Sequence, residues 1–314
     1  MLMRLLLAIL TALLMASCRQ GSTTDTEMSP AEGDSLVILF TGDVLLDRGV
    51  RQEAQRHGWP WLFSGVDSLF HTADATVINL ECPLTQVSTP LGKRFIFRAD
   101  TCTASVLQRA GITHATLANN HTNDQGFQGL RHTIASLLQA GIIPMGCGDS
   151  PEQRFSPTLI QKGQVTAAIF CAVLFPLENW MPAPNDTAPC QTDAPRLAQA
   201  IRAYRSAHPS HRIICVLHWG IEFQPSATPQ QIHQARTLIS AGADAIIGHH
   251  PHVVQPQRHS DPVPVFYSLG NFVFDQHTPQ ACQSIIARIT LRQDTLMATS
   301  IPVGIRHCRP VPEQ

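Results

Sequence analysis

Charged residues are scarce in this sequence. Only 14% of its 314 residues are Asp, Glu, Lys or Arg, and the formal net charge is −1. Soluble domains usually carry about one quarter of charged residues. The 22 Lys and Arg are scattered and form no basic cluster, so no nucleic-acid-binding surface is predicted. The apolar fraction of 44% is, by contrast, ample for a large core.

The cysteines form no CxxC pair and no spacing typical of a zinc ribbon. Cys171 and Cys215 lie inside apolar runs, which predicts buried thiols rather than disulfide bridges. Histidine is instead abundant, with 15 residues. Because histidine is the commonest metal ligand and titrates near neutral pH, the positions of these residues are where chemistry is expected.

The apolar run at the N-terminus, Leu5–Met15, is too short to span a bilayer but fits the core of a signal peptide. Arg4 precedes it, and the two small residues before Cys18 resemble a bacterial lipoprotein cleavage site. We expect a signal peptide at residues 1–17, lipidation of Cys18 and a flexible polar tether over residues 18–34. This predicts an exported, membrane-anchored protein on the periplasmic or outer-membrane side of the cell envelope, with plain secretion as the alternative.

Short apolar runs alternate with helical patterns from Leu36 onward. Such runs fit strands that are buried on both faces, and the alternation predicts an α/β layered domain. The predicted strands are 36–41, 75–80, 112–118, 165–174, 213–217, 243–247 and 263–269, followed by a hairpin of 285–292 and 296–303. The predicted helices are 101–110, 127–140, 194–207 and 229–241. We expect a single domain over residues 35–304 and a C-terminal tail over residues 305–314.

Polar side chains follow these predicted strands where each strand ends. Since ligands bind at the carboxyl ends of strands in open α/β sheets, these side chains are expected to share one edge. A mixed Asp, Glu, Asn and His set suits Zn, Mn or Fe better than the pure oxygen cage that Ca prefers. The residues are Asp43, Asn79, Glu81, Asn119, Asn120, His121, His218, His249, His250, His252 and Asn271.

Six motifs follow one another in order between Leu36 and Asp275. They are Gly42-Asp43, Asn79-Leu80-Glu81, the stretch from Ala118 to Gly126 (ANNHTNDQG), His218-Trp219-Gly220-Ile221-Glu222, Gly248-His249-His250-Pro251-His252 and Tyr267-Ser268-Leu269-Gly270-Asn271-Phe272. In this order they resemble the signatures of the CapA family of poly-γ-glutamate capsule synthesis proteins. That family resembles the calcineurin-like metallophosphoesterases, so the resemblance implies a four-layer α-β-β-α sandwich.

The resemblance also implies roles for individual residues. His121 is the expected acid that protonates a leaving group. His249 could substitute for a member of the final His-x-His pair. One or two divalent ions of Mn, Fe or Zn are implied for each chain. The implied metal ligands are Asp43, Glu81, Asn120, His218, His250 and His252.

The sequence departs from the phosphoesterase pattern at two of these motifs. Leu45 stands where those enzymes have the histidine of an Asp-x-His motif, so one metal would lose a ligand. Glu81 replaces the more usual Asp as the bridging carboxylate. Glu222, four residues after His218, either replaces missing charge at the site or is a solvated loop carboxylate.

Three functions are compatible with these residues. The first is a metal-dependent hydrolase of capsule or anionic polymer metabolism, which acts on a phosphoester or on a γ-glutamyl amide. The second is a non-catalytic, membrane-tethered assembly or export factor that works with capsule synthesis or export membrane proteins. The third is an α/β binding protein for a small ligand. Lys93, Arg94 and Arg98 are either contacts for an anionic substrate or solvated loop residues.

Overall fold

The computed structural model describes residues 35–183, 185–257 and 261–313. The predicted signal peptide, the lipidation site Cys18 and the tether lie outside the described residues. Among the described helices, none has the length and hydropathy needed to cross a membrane.

A mixed eight-stranded sheet forms one half of the described domain. Its order is β17-β16-β15-β1-β2-β3-β4, and β14 also pairs with β1. The strands are β1 (Leu36–Val44), β2 (Ala75–Leu80), β3 (His114–Thr116), β4 (Ile143–Met145), β14 (Asn271–Val273), β15 (Gln283–Leu291), β16 (Leu296–Arg306) and β17 (Arg309–Pro312). β1 to β4 run parallel to one another, so their carboxyl ends share one edge.

A five-stranded sheet of order β12-β10-β9-β7-β6 forms the other half. Its strands are β6 (Thr158–Lys162), β7 (Val165–Val173), β9 (Arg212–His218), β10 (Ala245–His249) and β12 (Val265–Phe266). Two short ladders pair β5 (Cys147–Gly148) with β8 (Ala188–Pro189), and β11 (Val254–Gln255) with β13 (Ser268–Leu269).

Helices cover the outer face of each sheet. They are α1 (Arg48–His57), α2 (Asp67–Phe70), α3 (Thr103–Arg109), α4 (Gly126–Gln139), α5 (Pro151–Phe155), α6 (Ala194–Ala207) and α7 (Pro229–Ser240), with a 3-10 helix at Trp59–Phe63. α6 begins where the Asp193 side chain accepts a hydrogen bond from the Arg196 amide, and α7 begins with a capping box of Thr228 and Gln231.

The alternation of side chains along β1 explains the four layers. Ile38 and Phe40 belong to the core between the two sheets, together with Ile214 of β9. Leu39 points to the opposite side, into the core beneath α1, α3 and α4. A third core, which includes Ile213, lies under α6 and α7. Each central strand is therefore apolar on both faces, and the predicted four-layer α-β-β-α architecture is confirmed.

The sequence interpretation differed from the structure at several peripheral elements. α1 was not predicted, because only Val50 and Ala54 are buried and the helix is otherwise polar. The short edge strands β4 and β6 expose part of their length and show no long apolar run. Most of the segment predicted as a C-terminal tail forms the end of β16 and the whole of β17. Residues 309–312 belong to the sheet because they pair with Val303 to Arg306 in antiparallel register.

Candidate metal centre

Two fully buried carboxylates lie at the carboxyl ends of β1 and β2. Asp43 is near the end of β1, and Glu81 directly follows β2. The side-chain amide of Asn79 donates hydrogen bonds to Asp43 Oδ1 (2.8 Å) and Glu81 Oε1 (3.0 Å). Asn79 is held in turn by Asn119, whose amide donates to Asn79 Oδ1 over 3.0 Å. A network of buried amides therefore fixes both carboxylates.

The histidines come from the carboxyl ends of β9 and β10 in the other sheet. His218 Nε2 lies 3.5 Å from Glu81 Oε1, and His252 Nδ1 lies 3.2 Å from Asp43 Oδ2. The rings of His218 and His250 are 4.8 Å apart between centroids. The two sheets therefore meet at this edge, and each supplies a different chemical type of side chain.

The backbone after β10 adopts an unusual conformation at two of the histidines. His250 has a φ of 99° and His252 a φ of 58°, in the left-handed region that L-residues rarely occupy. Such conformations cost of order 1–3 kcal/mol each and cluster at functional sites. His249 differs, because its Nε2 contacts the carbonyl oxygen of Thr41 over 2.9 Å. His250 and His252 approach the carboxylates, whereas His249 links the two sheets.

Asn120 and His121 follow β3 beside this cluster. The side-chain oxygen of Asn120 is 2.8 Å from His218 Nε2. His121 Nδ1 is 2.9 Å from Asp124 Oδ2, and Asp124 forms an ion pair with Lys93. Since Nδ1 is bonded to Asp124, Nε2 is the nitrogen of His121 that remains for a substrate.

Lys93 is engaged by the residues that surround His121. Its side chain is only 3% exposed, and its ammonium group is bonded to Asp124, Asn123 and the carbonyl oxygen of Asn120. A buried lysine that compensates a buried aspartate is a positioning group for His121. This buried position matches neither of the two sequence expectations for Lys93, a substrate contact or a solvated loop residue.

The site holds two acidic side chains that are out of contact with water. Burial raises the pKa of Asp43, but hydrogen bonding and charge from His252 and His249 outweigh it, and the net shift is downward. Burial and the charge of Asp43 raise the pKa of Glu81 well above its usual value. Burial lowers the pKa of His252, yet Glu81 and Asp43 reverse this and raise it to about 9.

Burial dominates the remaining histidines. It lowers the pKa of His218 well below the ordinary value, with further lowering by the neighbouring histidines. It lowers the pKa of His250 to about 3. Burial also lowers the pKa of His121, although Asp124 opposes the shift. Neutral imidazoles with free nitrogen lone pairs are the form that binds metals.

These residues fit a divalent cation. Asp43, Glu81 and His218 each offer a ligand atom within 4.8 Å of the others, and so do Glu222, His250 and His252. Within the described residues, the buried atoms Glu81 Oε2 and His250 Nδ1 have no hydrogen-bond partner. Buried polar atoms are nearly always satisfied, so an additional partner is expected here. The mixed oxygen and nitrogen set suits Zn, Mn or Fe.

Sequence reasoning missed the importance of Asn79 and left Glu222 undecided. Asn79 and Glu81 are two residues apart, so they occupy one face of an extended chain, and this spacing was the available signal. Glu222 is exposed but belongs to the second ligand group. Leu45 is fully buried in the core beneath the outer helices, where a metal ligand would be out of place.

A small pocket of about 100 Å³ adjoins the cluster. It is lined by His121 and His252 together with Arg48, Glu222, Gln276 and four phenylalanines: Phe95, Phe97, Phe223 and Phe274. The candidate acid and one candidate ligand therefore share an accessible cavity.

Solved structures share this fold. A hypothetical protein from Thermus thermophilus aligns with a TM-score of 0.50 and 13% identity over 85% of this chain and 99% of its own. A chain described as a putative 5'-nucleotidase from Staphylococcus aureus aligns with a TM-score of 0.55 and 13% identity, over 89% of this chain and 54% of its own. At this identity the likeness shows the metallophosphoesterase-like fold alone.

Sequence relatives carry capsule-related names. The PGA biosynthesis protein CapA of Bacillus subtilis (strain 168) is 27% identical over 308 residues, which cover 97% of this chain and 80% of the relative. The capsule biosynthesis protein CapA of Bacillus anthracis is 26% identical over 311 residues, 97% of this chain and 76% of the relative.

A family model described as bacterial capsule synthesis protein PGA_cap matches residues 37–276. These residues run from β1 to just beyond β14 and include all the candidate ligands. The chain belongs to the bacterial capsule synthesis protein PGA_cap family.

Proposed function

We propose that this protein is a metal-dependent hydrolase of capsular or other anionic polymer metabolism. The observation that carries the proposal is the convergence of Asp43 and Glu81 from one sheet with His218, His250 and His252 from the other. Two of these residues contribute buried atoms that have no hydrogen-bond partner among the described residues. The names of the relatives support the pathway, and the fold supports the type of site.

A divalent ion at this site supplies Lewis-acid activation of water and of a substrate oxygen. Asp43, Glu81 and His218 form one group that would hold an ion, and Glu222, His250 and His252 form another. Asn120 Oδ1 lies close to His218. In its imidazolium form, His121 would donate the Nε2 proton to the leaving group and keep the Nδ1 proton toward Asp124. Asp124 would hold His121 in orientation through Nδ1, and Lys93 would fix Asp124.

The alternative is a non-catalytic factor for polymer assembly or export. The buried position of Leu45 favours it, since this chain has leucine where related phosphoesterases supply a histidine ligand. Such a site would hold metal or polymer without turnover.

Metal analysis of the full-length protein tests the proposal. The double variant His250→Ala/His252→Ala is compared with a matched control, His208→Ala/His211→Ala, which removes two histidines that stack on each other at the end of α6. We expect the parent and the control to hold about one or two equivalents of Mn, Fe or Zn, and the site variant to lose them while still folded.

Hydrolysis assays on the metal-loaded protein separate the two functions. Cleavage of an aryl phosphate or of a γ-linked oligoglutamate that disappears in His121→Gln supports the hydrolase. Stable metal binding without turnover of either substrate supports the assembly factor. A parent protein that stays metal-free after reconstitution contradicts the hydrolase.

A further inference from the structure

The pocket beside the candidate metal ligands contains one arginine, Arg48, which is the first residue of α1. Its side chain is 37% exposed, in contrast to the buried Lys93. Arg48 therefore presents a positive charge to the pocket and to solvent at the same time.

Several contacts fix the position of the Arg48 guanidinium. Nη2 donates to Asp275 Oδ1, and the other carboxylate oxygen of Asp275 accepts the backbone N–H of Gly49 at 3.0 Å. The Cβ that residue 49 would gain from any other side chain would lie 2.8 Å from Asp275 Cβ, so glycine permits this close approach. Arg48 also has a φ of 50°, a left-handed conformation rare for arginine. The guanidinium is therefore held in place before any ligand arrives.

Two aromatic rings connect Arg48 to the candidate machinery. Its Cζ lies 4.7 Å from the centroid of Phe97, whose ring is 4.2 Å from that of His121. It lies 5.7 Å from the centroid of Phe274, whose ring is 4.9 Å from that of His252. One ring therefore separates the guanidinium from the candidate acid, and another separates it from a candidate metal ligand.

The guanidinium retains binding capacity in this position. Among the described residues, the hydrogen-bond acceptor of the guanidinium is Asp275, which accepts one N–H of Nη2. The N–H groups of Nε and Nη1 and the second N–H of Nη2 therefore remain available. An arginine fork matches the two oxygens of a carboxylate or phosphate. Glu222 also lines the pocket, but its oxygen groups with His250 and His252 as a candidate ligand.

The lining of this pocket of about 100 Å³ indicates what it can hold. Its arginine suits a carboxylate, and its four phenylalanines suit the neighbouring methylene groups.

We propose that Arg48 binds a carboxylate of the substrate next to the bond that is cleaved. A polymer of acidic units is the substrate class that offers such a carboxylate in every unit. The inference rests on the proposed function, since it names the substrate class of the same site. A γ-linked glutamate chain has the required chemistry, because each unit carries a free α-carboxylate beside an amide bond.

The test is calorimetric binding of two probes to the full-length protein after addition of Mn. One probe is a γ-linked triglutamate, and the other is the same peptide with its α-carboxylates converted to amides. We expect the parent to bind the acid at least about tenfold more tightly than the amide. Arg48→Gln should lose this preference and bind both probes equally, and Arg48→Lys should retain part of it.

Arg56→Gln is the matched control, since Arg56 lies on the same helix, is exposed, and pairs only with Glu53 among the described residues. It should keep the full preference for the acid. Thermal unfolding of each variant reports folding, and Arg48→Lys preserves the charge opposite Asp275 if Arg48→Gln is unstable. Equal binding of acid and amide by the parent, no binding of either, or an equal loss of both in Arg48→Gln would overturn the proposal.

Failure of the proposed function would be seen in metal content or in cleavage, not in the preference between acid and amide. If the parent holds no metal, or binds the acid without cleaving it, the hydrolase fails. The difference between acid and amide still decides the role of Arg48, because it is measured by binding.

Discussion

The two halves of the candidate site hold their side chains in place by different means. On the eight-stranded sheet, Asp43 and Glu81 are fixed by side-chain amides, with Asn79 between them and Asn119 behind. On the five-stranded sheet, His250 and His252 are placed by left-handed backbone conformations that follow Gly248. The carboxylate half should therefore be sensitive to loss of a polar side chain, and the histidine half to any change in backbone packing.

Gly248→Ala should produce the largest effect and act on the histidine half. The added Cβ would lie 2.1 Å from the Tyr267 carbonyl oxygen and 2.5 Å from Trp219 Nε1. The backbone at Tyr267 would have to move to relieve this clash. We expect the free energy of unfolding to fall by about 3 kcal/mol or more. Denaturant unfolding measures it, with Gly92→Ala as control, where the nearest atom is 3.7 Å away. Equal stability of the two variants would contradict the packing argument.

Asn79→Ala should act on the carboxylate half with a smaller effect on stability. It removes the donor shared by Asp43 and Glu81 and leaves the Asn119 amide without one of its acceptors. We expect a loss of about 2–3 kcal/mol in unfolding free energy and a loss of metal affinity of about 10–100-fold. Unfolding curves and metal titration check this. Unchanged metal affinity would show that the amide network does not position the carboxylates.

Leu45→His should have the smallest effect. It tests whether the carboxylate half can be given a histidine ligand like those of the histidine half. Leu45 is buried in the apolar core under the helices, so a histidine there loses water contacts. We expect a loss of about 1–3 kcal/mol in unfolding free energy and no added metal. Metal content before and after the change is the measurement. An additional equivalent of metal would show that residue 45 can reach the site.

The central strands and the edge that carries the site could be predicted from sequence, because buried parallel strands are nearly continuous apolar runs. The helix predicted at 194–207 coincides with α6 for the same kind of reason, since its buried residues repeat at helical spacing. α1 could not be predicted, because it is polar along most of its length and only Val50 and Ala54 are buried. Edge strands are short and exposed, and their pairing depends on neighbours distant in sequence.

The site was predictable in its composition but not in its geometry. Consecutive histidines look alike in sequence, yet His249 is bonded to Thr41 and His250 is turned toward the carboxylates by a positive φ. That difference lies in the backbone after β10, which the side-chain pattern does not specify. The burial of Lys93 likewise follows from its pairing with Asp124, 31 residues away in sequence, which no local pattern reveals.

The placement of β1 has a consequence for when the site can form during synthesis. β1 leaves the ribosome well before two of its pairing partners, β14 and β15. Asn271, the strand partner of Asp43, is synthesised more than two hundred residues later. The Gly270 carbonyl oxygen, which accepts a hydrogen bond from the Asp43 backbone amide, also comes only then. A chain whose translation stops before β14 contains the acidic residues but lacks these hydrogen-bonding partners. The proposed metal site would therefore be complete only after β14 and β15 have been synthesised.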